Sequence, residues 1–498
     1  MKNLKYYLAV AFLSPAGYAF AQSSADALRF SQNFPTGTAR TLGIGGASSA
    51  VGADFGGIVT NPAGVGLFQR SEISFSPGFA SSNTTAQAFG TRNTDSRSNL
   101  QVGSFGIVLS NRRPDDQNPS PWRGGSFAFG LNRTNNFNQN VRYTATPPLE
   151  ADILQRLSED QGAILDDLAY EALITERDGN GTYIPEDFQN TGTLTQREVI
   201  ERKGGQTQFD FAYGNSYRDK LYIGGAIGIV STRYSTISTL TAIDPTPPSN
   251  DPEGKFGSLT LRESSDIRAT GINARLGVIY RPTDVVRIGA SVQTPTYSSV
   301  VDTYGASLQA TYDGTINTDN GTTSSGDANF PAEDIAYTIT SPFRATGGVA
   351  VVVGKSGFLS ADAEYVNYGK ARFGYDTSTD LPGPDDLDPA NNSIRDQYRS
   401  AVNLRVGGEL RLDVFRLRAG FAHYGDPYKN TSLADRSQNF YTAGAGLRQK
   451  NFFLDIAGVY SSGSQVYTPY ELNNASRTPR VTIDDDRFTT TLTAGFLF

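Results

Sequence analysis

The chain has 498 residues, with 43 Lys and Arg against 50 Asp and Glu, a formal net charge of −7, 52 Gly and no Cys. The acidic balance, without basic clusters, argues against nucleic acid as a partner. The missing thiols exclude disulfides and thiolate metal sites, and a single His with no Met after the first residue leaves no donor set for a transition metal or a metal-bearing cofactor.

The N-terminus sets the compartment. Lys2 and Lys5 precede a short apolar run, Tyr6 to Leu13, which Pro15 and Gly17 interrupt. Ala19-Phe20-Ala21 then supplies the small-x-small pattern of a cleavage site, so residues 1–21 are expected to be a signal peptide. No later stretch holds about 18 consecutive apolar residues, which removes a membrane-spanning helix. Residues 22–70 are rich in small side chains, from Gly43 through Asp54 to Asn61, Pro62, Ala63 and Gly64. Small residues let backbone approach backbone, as in a segment packed inside another structure. Gly43-Ile44-Gly45 is not a dinucleotide fingerprint, because no Gly follows at 48 and no strand precedes it.

From residue 71 to 498 one pattern repeats: about a dozen residues alternating between apolar and polar. In the last stretch Phe488, Leu492, Ala494, Phe496 and Phe498 share one face, and Thr489, Thr491 and Thr493 the other. Fourteen such segments are expected, at 71–81, 98–110, 124–138, 205–218, 220–236, 264–281, 284–298, 341–354, 356–370, 400–411, 414–424, 438–449, 451–463 and 485–498. Connections after even-numbered segments are mostly tight, and those after odd-numbered segments are long: 82–97, 139–204, 237–263, 299–340, 371–399, 425–437 and 464–484. Sorting of loop length by side is a property of outer-membrane barrels, short turns being periplasmic. The expected fold is therefore all-β, a transmembrane antiparallel β-barrel of about fourteen strands in the bacterial outer membrane. The exception among the short turns is 111–123, whose Trp122 suits a membrane interface.

Other motifs carry less. Within 148–175, Leu149, Ile153, Leu157, Ile164 and Leu168 recur at helical spacing. They read either as a helical hairpin packed on the barrel mouth or, for Ile153, Leu157, Ile164 and Leu168, as an apolar surface that collects a greasy ligand. Residues 178–186 place oxygen donors at alternate positions but lack the Gly and the final acid of a calcium loop. His423 has no visible nucleophile partner, so no catalytic residues are assigned. Asp484, Asp485 and Asp486 read as solvated charge or as a divalent-ion bridge to lipopolysaccharide. Phe496 and Phe498 form the aromatic terminus that barrel-assembly machinery reads.

The order of signal peptide, small-residue segment with Gly45-Gly46-Ala47, Asp54 and Asn61-Pro62-Ala63-Gly64, then a barrel, resembles the FadL/TodX family of outer-membrane transporters for long-chain fatty acids and aromatic hydrocarbons. The resemblance implies a fourteen-stranded barrel with residues 22–70 as an N-terminal hatch inside the lumen, Asn61, Pro62 and Ala63 belonging to it. It also implies uptake of a hydrophobic solute, with departure sideways through the wall at a kinked strand. Gly124-Gly125 and Gly224-Gly225 are the candidate bends. A second reading is an adaptor or scaffold in outer-membrane secretion or surface attachment; a third, an open porin, conflicts with a hatch.

Overall fold

The computed structural model describes residues 24–112, 120–159, 161, 163–177, 183–185, 193–245, 255–318, 321–384 and 386–498. Fourteen strands form one closed antiparallel sheet: β1 (Glu72–Ala88), β2 (Thr91–Arg112), β3 (Trp122–Asn136, resumed as Gln139–Ala145), β4 (Thr195–Tyr217), β5 (Leu221–Ile243), β6 (Lys255–Tyr280) and β7 (Val286–Gln293 and Tyr297–Thr318). There follow β8 (Gly321–Thr340 and Arg344–Val353), β9 (Gly357–Asn367 and Arg372–Tyr375), β10 (Ser400–Leu412), β11 (Phe415–Tyr424), β12 (Gln438–Arg448), β13 (Phe452–Tyr467) and β14 (Val481–Leu497). The ring closes where β1 pairs with β14, from Glu72↔Leu497 to Gln87↔Thr482. All fourteen expected segments are strands of this barrel.

Side-chain direction explains the closure. Phe75, Phe127, Leu276, Leu359, Val406, Leu454 and Phe488 point outward and are 43 to 65% exposed. Ser76, Ser104, Asp210, Asn403 and Thr493 point inward and are buried. Large apolar side chains outside and polar ones within invert the soluble pattern and match a wall facing lipid.

The strands run further than the alternation suggested. Residues 82–97, expected as a loop, continue β1 and β2 to a two-residue turn at Phe89 (φ 45°) and Gly90 (φ 83°), the paired positive φ of a type I′ hairpin. Much of 237–263 and nearly all of 299–340 are likewise strand, in β5–β6 and β7–β8. Above the lipid the outward face meets water, so Ser, Thr and Asn replace its apolar residues and the period-2 signal disappears while the ladder goes on.

Two devices close the extracellular half of the lumen. Ala86, Ala88, Val141, Tyr143, Ile200, Val481 and Ile483, from β1, β3, β4 and β14, pack together on the inner face of the wall. Glu198 of β4 accepts hydrogen bonds from Tyr143 and Tyr467 hydroxyls, each at 2.6 Å. Above them the chain between β3 and β4 forms α3 (Ile153–Leu157) and α4 (Ile164–Glu171). Ile153, Leu157, Ile164 and Leu168 are 1, 1, 8 and 3% exposed and pack on Leu240, Leu259 and Leu308 of the wall. Their apolar atoms form a core and do not face solvent.

The Asp152 side chain caps α3 by accepting the Gln155 N–H at 2.9 Å, and burial pushes its carboxyl up to about 6. The unfolded loop titrates near 4. A folded pKa above the unfolded one favours packing below pH 4, and the advantage is lost as pH rises through about 6. Hydrogen-exchange protection of 153–171, corrected for intrinsic rate, should therefore be higher at pH 5 than at pH 7.5. Asp152→Asn, which keeps a capping oxygen, should abolish that difference.

Candidate functional site

Residues 24–70 lie against the inward side of the wall, mostly in its periplasmic half. They form α1 (Ser24–Ser31), α2 (Ala39–Gly43) and two 3-10 turns, Phe55–Val59 and Pro62–Leu67. Each turn is started by a side-chain cap. Asp54 accepts from Gly56 N at 2.9 Å and from the Thr38 and Thr41 hydroxyls at 2.7 and 2.8 Å. Asn61 accepts from Ala63 N at 3.0 Å, and Pro62 presets the first position of the turn. The Gly64 carbonyl receives Ala53 N at 3.1 Å, folding the segment back on itself.

The wall meets this segment with glycine. A Cβ on Gly224 would strike Pro62, one on Gly277 Asn61, one on Gly289 Ser49, and one on Gly407 Ile44. These glycines sit on β5, β6, β7 and β10, so the close approach runs around the lumen. Polar groups fix the register. Asn61 Nδ2 donates to Ser49 O at 2.7 Å and to Val278 O of β6 at 3.1 Å. Ser49 N and Oγ donate to Asp362 of β9 at 2.9 and 2.6 Å. Ser291 donates to Thr60 O at 2.6 Å, and Arg275, paired with Asp210, donates to Ile58 O at 3.1 Å. Arg40 reaches Ala53 O at 2.7 Å and Glu409 at 3.4 Å, where Glu409 also binds Arg418 at 2.9 Å.

Asn61→Ala removes one cap, the bond to Ser49 O within the segment and the bonds to Val278 O and Ala290 O across the interface, and takes a donor from each of those carbonyls. The segment should lose about 1–3 kcal/mol of docking energy, read as faster proteolysis after Arg40. The barrel, whose ladder does not use Asn61, should keep its heat-modifiable gel migration.

The wall itself is interrupted at β3. β2 and β3 pair from Arg112↔Gly124 to Ser104↔Asn132, and no described main-chain pair joins them beyond. β2 continues from Gly103 to Thr91 paired with β1 alone. β3 shifts register between Arg133 and Asn135, breaks at Phe137 and Asn138, and resumes as Gln139–Ala145 against β4. Side chains bridge the seam in place of the ladder: Asn136 Nδ2 to Asn99 Oδ1 at 3.2 Å, and Arg97 to Asn140 Oδ1 at 2.8 Å. The N-terminal segment touches this bend directly. The Thr36 hydroxyl donates to Arg133 O, and Asn135 Nδ2 donates to Gln32 O at 3.3 Å. A cavity of about 210 Å³ opens here, lined among others by Phe34, Leu42, Gln101, Arg133, Phe440 and Arg487.

The remaining sequence candidates are dispersed. His423 Nδ1 lies 2.9 Å from Asn439 Oδ1, away from the seam. Among the described residues no group of His, Cys, Asp and Glu is arranged to hold a metal. Asp484, Asp485 and Asp486 are strand residues held by Ser464, Ser82 and Tyr460 hydroxyls at 2.6, 2.6 and 2.8 Å. Of the 178–186 loop, 178–182 and 186 lie outside the described residues, as do 113–119. Trp122 is 43% exposed and meets Tyr217 edge to face at 5.1 Å. Phe496 and Phe498 are 50 and 57% exposed, and Phe498 N donates to Ser71 O at 3.0 Å. Sequence reasoning missed the bend in β3. The run Thr134-Asn135-Asn136-Phe137-Asn138-Gln139-Asn140 carried its signal, being turn-forming Asn within an otherwise alternating strand.

No protein-family model matches the sequence, and no curated protein does. Solved structures do match. The toluene transporter TodX of Pseudomonas putida aligns with 94% of this chain and 99% of its own, at 13% identity and a TM-score of 0.53. A Pseudomonas aeruginosa FadL homologue aligns with 93% of this chain and 99% of its own, at 13% identity and a TM-score of 0.53. At that identity the likeness speaks for the path of the chain, and it agrees with the strand count, the closure and the outward apolar belt: the protein has the FadL/TodX-type fold, a fourteen-stranded barrel of the bacterial outer membrane.

Proposed function

We propose that the protein is a passive outer-membrane transporter for a hydrophobic compound, such as a fatty acid or an aromatic hydrocarbon, with residues 22–70 as its hatch. The solute enters from outside, rests in the lumen beside Phe34, Leu42 and Phe440, and leaves sideways through the β2–β3 seam. The observation that carries this reading is the seam. The lumen is packed above by wall contacts and loop helices and below by the N-terminal segment, while the wall between β2 and β3 lacks main-chain pairing beside the cavity. A packed lumen suits no hydrophilic flux. A side exit delivers an apolar solute into lipid, where each buried CH₂ gains about 0.8 kcal/mol. Downhill transfer needs no bond chemistry, and no catalytic role is proposed for any residue.

In this reading Asp54, Asn61, Pro62, Ala63 and Gly64 hold the hatch in shape. Phe496 and Phe498 serve insertion by the barrel-assembly machinery, and lipopolysaccharide surrounds the outer rim. TodX, which shares the fold, is a toluene transporter, and that likeness supports the hydrophobic class without naming the solute. The test is uptake of labelled toluene and of a labelled long-chain fatty acid by cells lacking their own transporter. Uptake of either above background supports transport. Uptake of neither, from protein folded in the membrane and copurifying with a stoichiometric protein, would make it an adaptor.

A further inference from the structure

Bending β3 away from β2 costs the chain a ladder, and the carbonyls set free must find donors. Gly204 O on β4 receives Phe137 N at 3.1 Å, so part of the break is served by the neighbouring strand. The carbonyls of Asn136 and Asn138 are served from elsewhere. Arg487 Nη1 donates to Asn136 O at 2.6 Å and Nη2 to Asn138 O at 3.3 Å. Arg487 belongs to β14, where it pairs with Ser82 of β1 and Ser461 of β13. Around the wall, β1 and β2 stand between β14 and β3, so the side chain reaches across the inner face of both.

Arg487 is itself held. Asp485 lies 3.4 Å from Nη2 and is fixed by the Ser82 hydroxyl at 2.6 Å. Its side chain is 18% exposed and lines the same cavity as Asn135 and Asn136. A planar guanidinium can span two carbonyls at once, which an ammonium cannot do with fixed geometry. Opposite the bend, β2 from Thr91 to Gly103 has a main-chain edge turned toward β3 that no described strand pairs. An unpaired edge is a template for any strand that comes within reach.

We infer that Arg487 is a positioning residue that holds the β3 bend away from the free edge of β2 and so keeps the seam open. Without it, the Asn136 and Asn138 carbonyls lose their donors, and re-pairing with β2 is the available way to satisfy both edges. The part of this inference that concerns transport rests on the seam being the exit; the part that concerns strand pairing does not.

The experiment compares Arg487→Gln and Arg487→Lys with the parent protein in detergent micelles, each first shown to be folded by heat-modifiable migration. Hydrogen exchange is read on peptides covering 92–103, and uptake of labelled toluene is read in cells. In Arg487→Gln, the amides of 92–103 that face the seam should gain about tenfold in protection, and uptake should fall. Arg487→Lys should follow Arg487→Gln, because charge without the fork does not hold both carbonyls. Unchanged protection in 92–103, or a Lys variant equal to the parent, overturns the inference whatever uptake does. Raised protection with unchanged uptake keeps Arg487 as the strut and removes the seam as the exit.

Discussion

Tying β2 to β3 across the seam should reduce uptake to background. The chain has no native Cys, so Asn99→Cys with Asn136→Cys places the only two thiols at the edges of the gap. The parent side chains already meet there, at 3.2 Å between Asn136 Nδ2 and Asn99 Oδ1, so a short bismaleimide spans the pair without moving either strand far. A solute leaving through this seam must part the side chains that bridge it. A covalent tie prevents that, and a loss of tenfold or more corresponds to at least about 1.4 kcal/mol added to the exit barrier. Each single-Cys variant treated with the reagent should transport normally. So should a pair placed on an intact part of the wall, Ala445→Cys with Ile456→Cys, whose residues are ladder partners on β12 and β13. If the tied seam still passes solute at the untied rate, the route lies elsewhere, past the N-terminal segment or through the mouth.

The barrel was legible in the sequence because the membrane imposes a simple code. Wherever strands cross lipid, one face must be apolar, and Phe452, Leu454, Ile456 and Tyr460 on β13 declare it while Asp455 on the opposite face turns inward. The code lapses above the lipid. There Ser82 to Arg97 hold a regular hairpin with polar residues on the outward face, and the alternation that marks a strand is gone. The bend in β3 was hidden for a different reason. Gly124-Gly125 looked like a hinge, yet the break lies at Arg133 to Asn138, where Asn side chains and not glycines satisfy the irregular backbone. Gly124 and Gly125 stay paired with β2 and β4, beside a register shift between Trp122 and Gly124 that does not interrupt the wall.

The helical stripe of Ile153, Leu157, Ile164 and Leu168 was readable as a periodicity. What it packs on was not, because its partners Leu240, Leu259 and Leu308 come from three different strands. Arg487 was unreadable in the same way. Its importance comes from two carbonyls about 350 residues earlier in the chain, and no spacing rule connects them.

The wall glycines give the second large effect. Gly289 of β7 pairs with Ile279 and with Gly348, and its α-carbon faces Ser49 of the N-terminal segment. Gly289→Val leaves the ladder intact and suits a strand, but its side chain overlaps the Ser49 backbone. Ser49 cannot give way cheaply. Asp362 holds its N–H at 2.9 Å and its hydroxyl at 2.6 Å, and Asn61 holds its carbonyl at 2.7 Å. Moving it therefore breaks two bonds to the wall at Asp362 and one to Asn61 inside the segment. Overpacking of this kind costs about 1–3 kcal/mol, here charged to docking and not to the barrel. Arg40, whose side chain is 12% exposed while docked, should then be cut by trypsin about 10- to 100-fold faster, in proportion to the undocked population, while the barrel stays resistant. Gly347→Val is the matched control. It lies on the neighbouring strand, and a Cβ there meets nothing within 4 Å, so the cleavage rate should not change. Equal rates in both variants would mean that the segment is not held by the glycine contacts, and that its position depends on the polar bonds alone. A faster cut in Gly289→Val with altered solute uptake would tie the docked segment to gating.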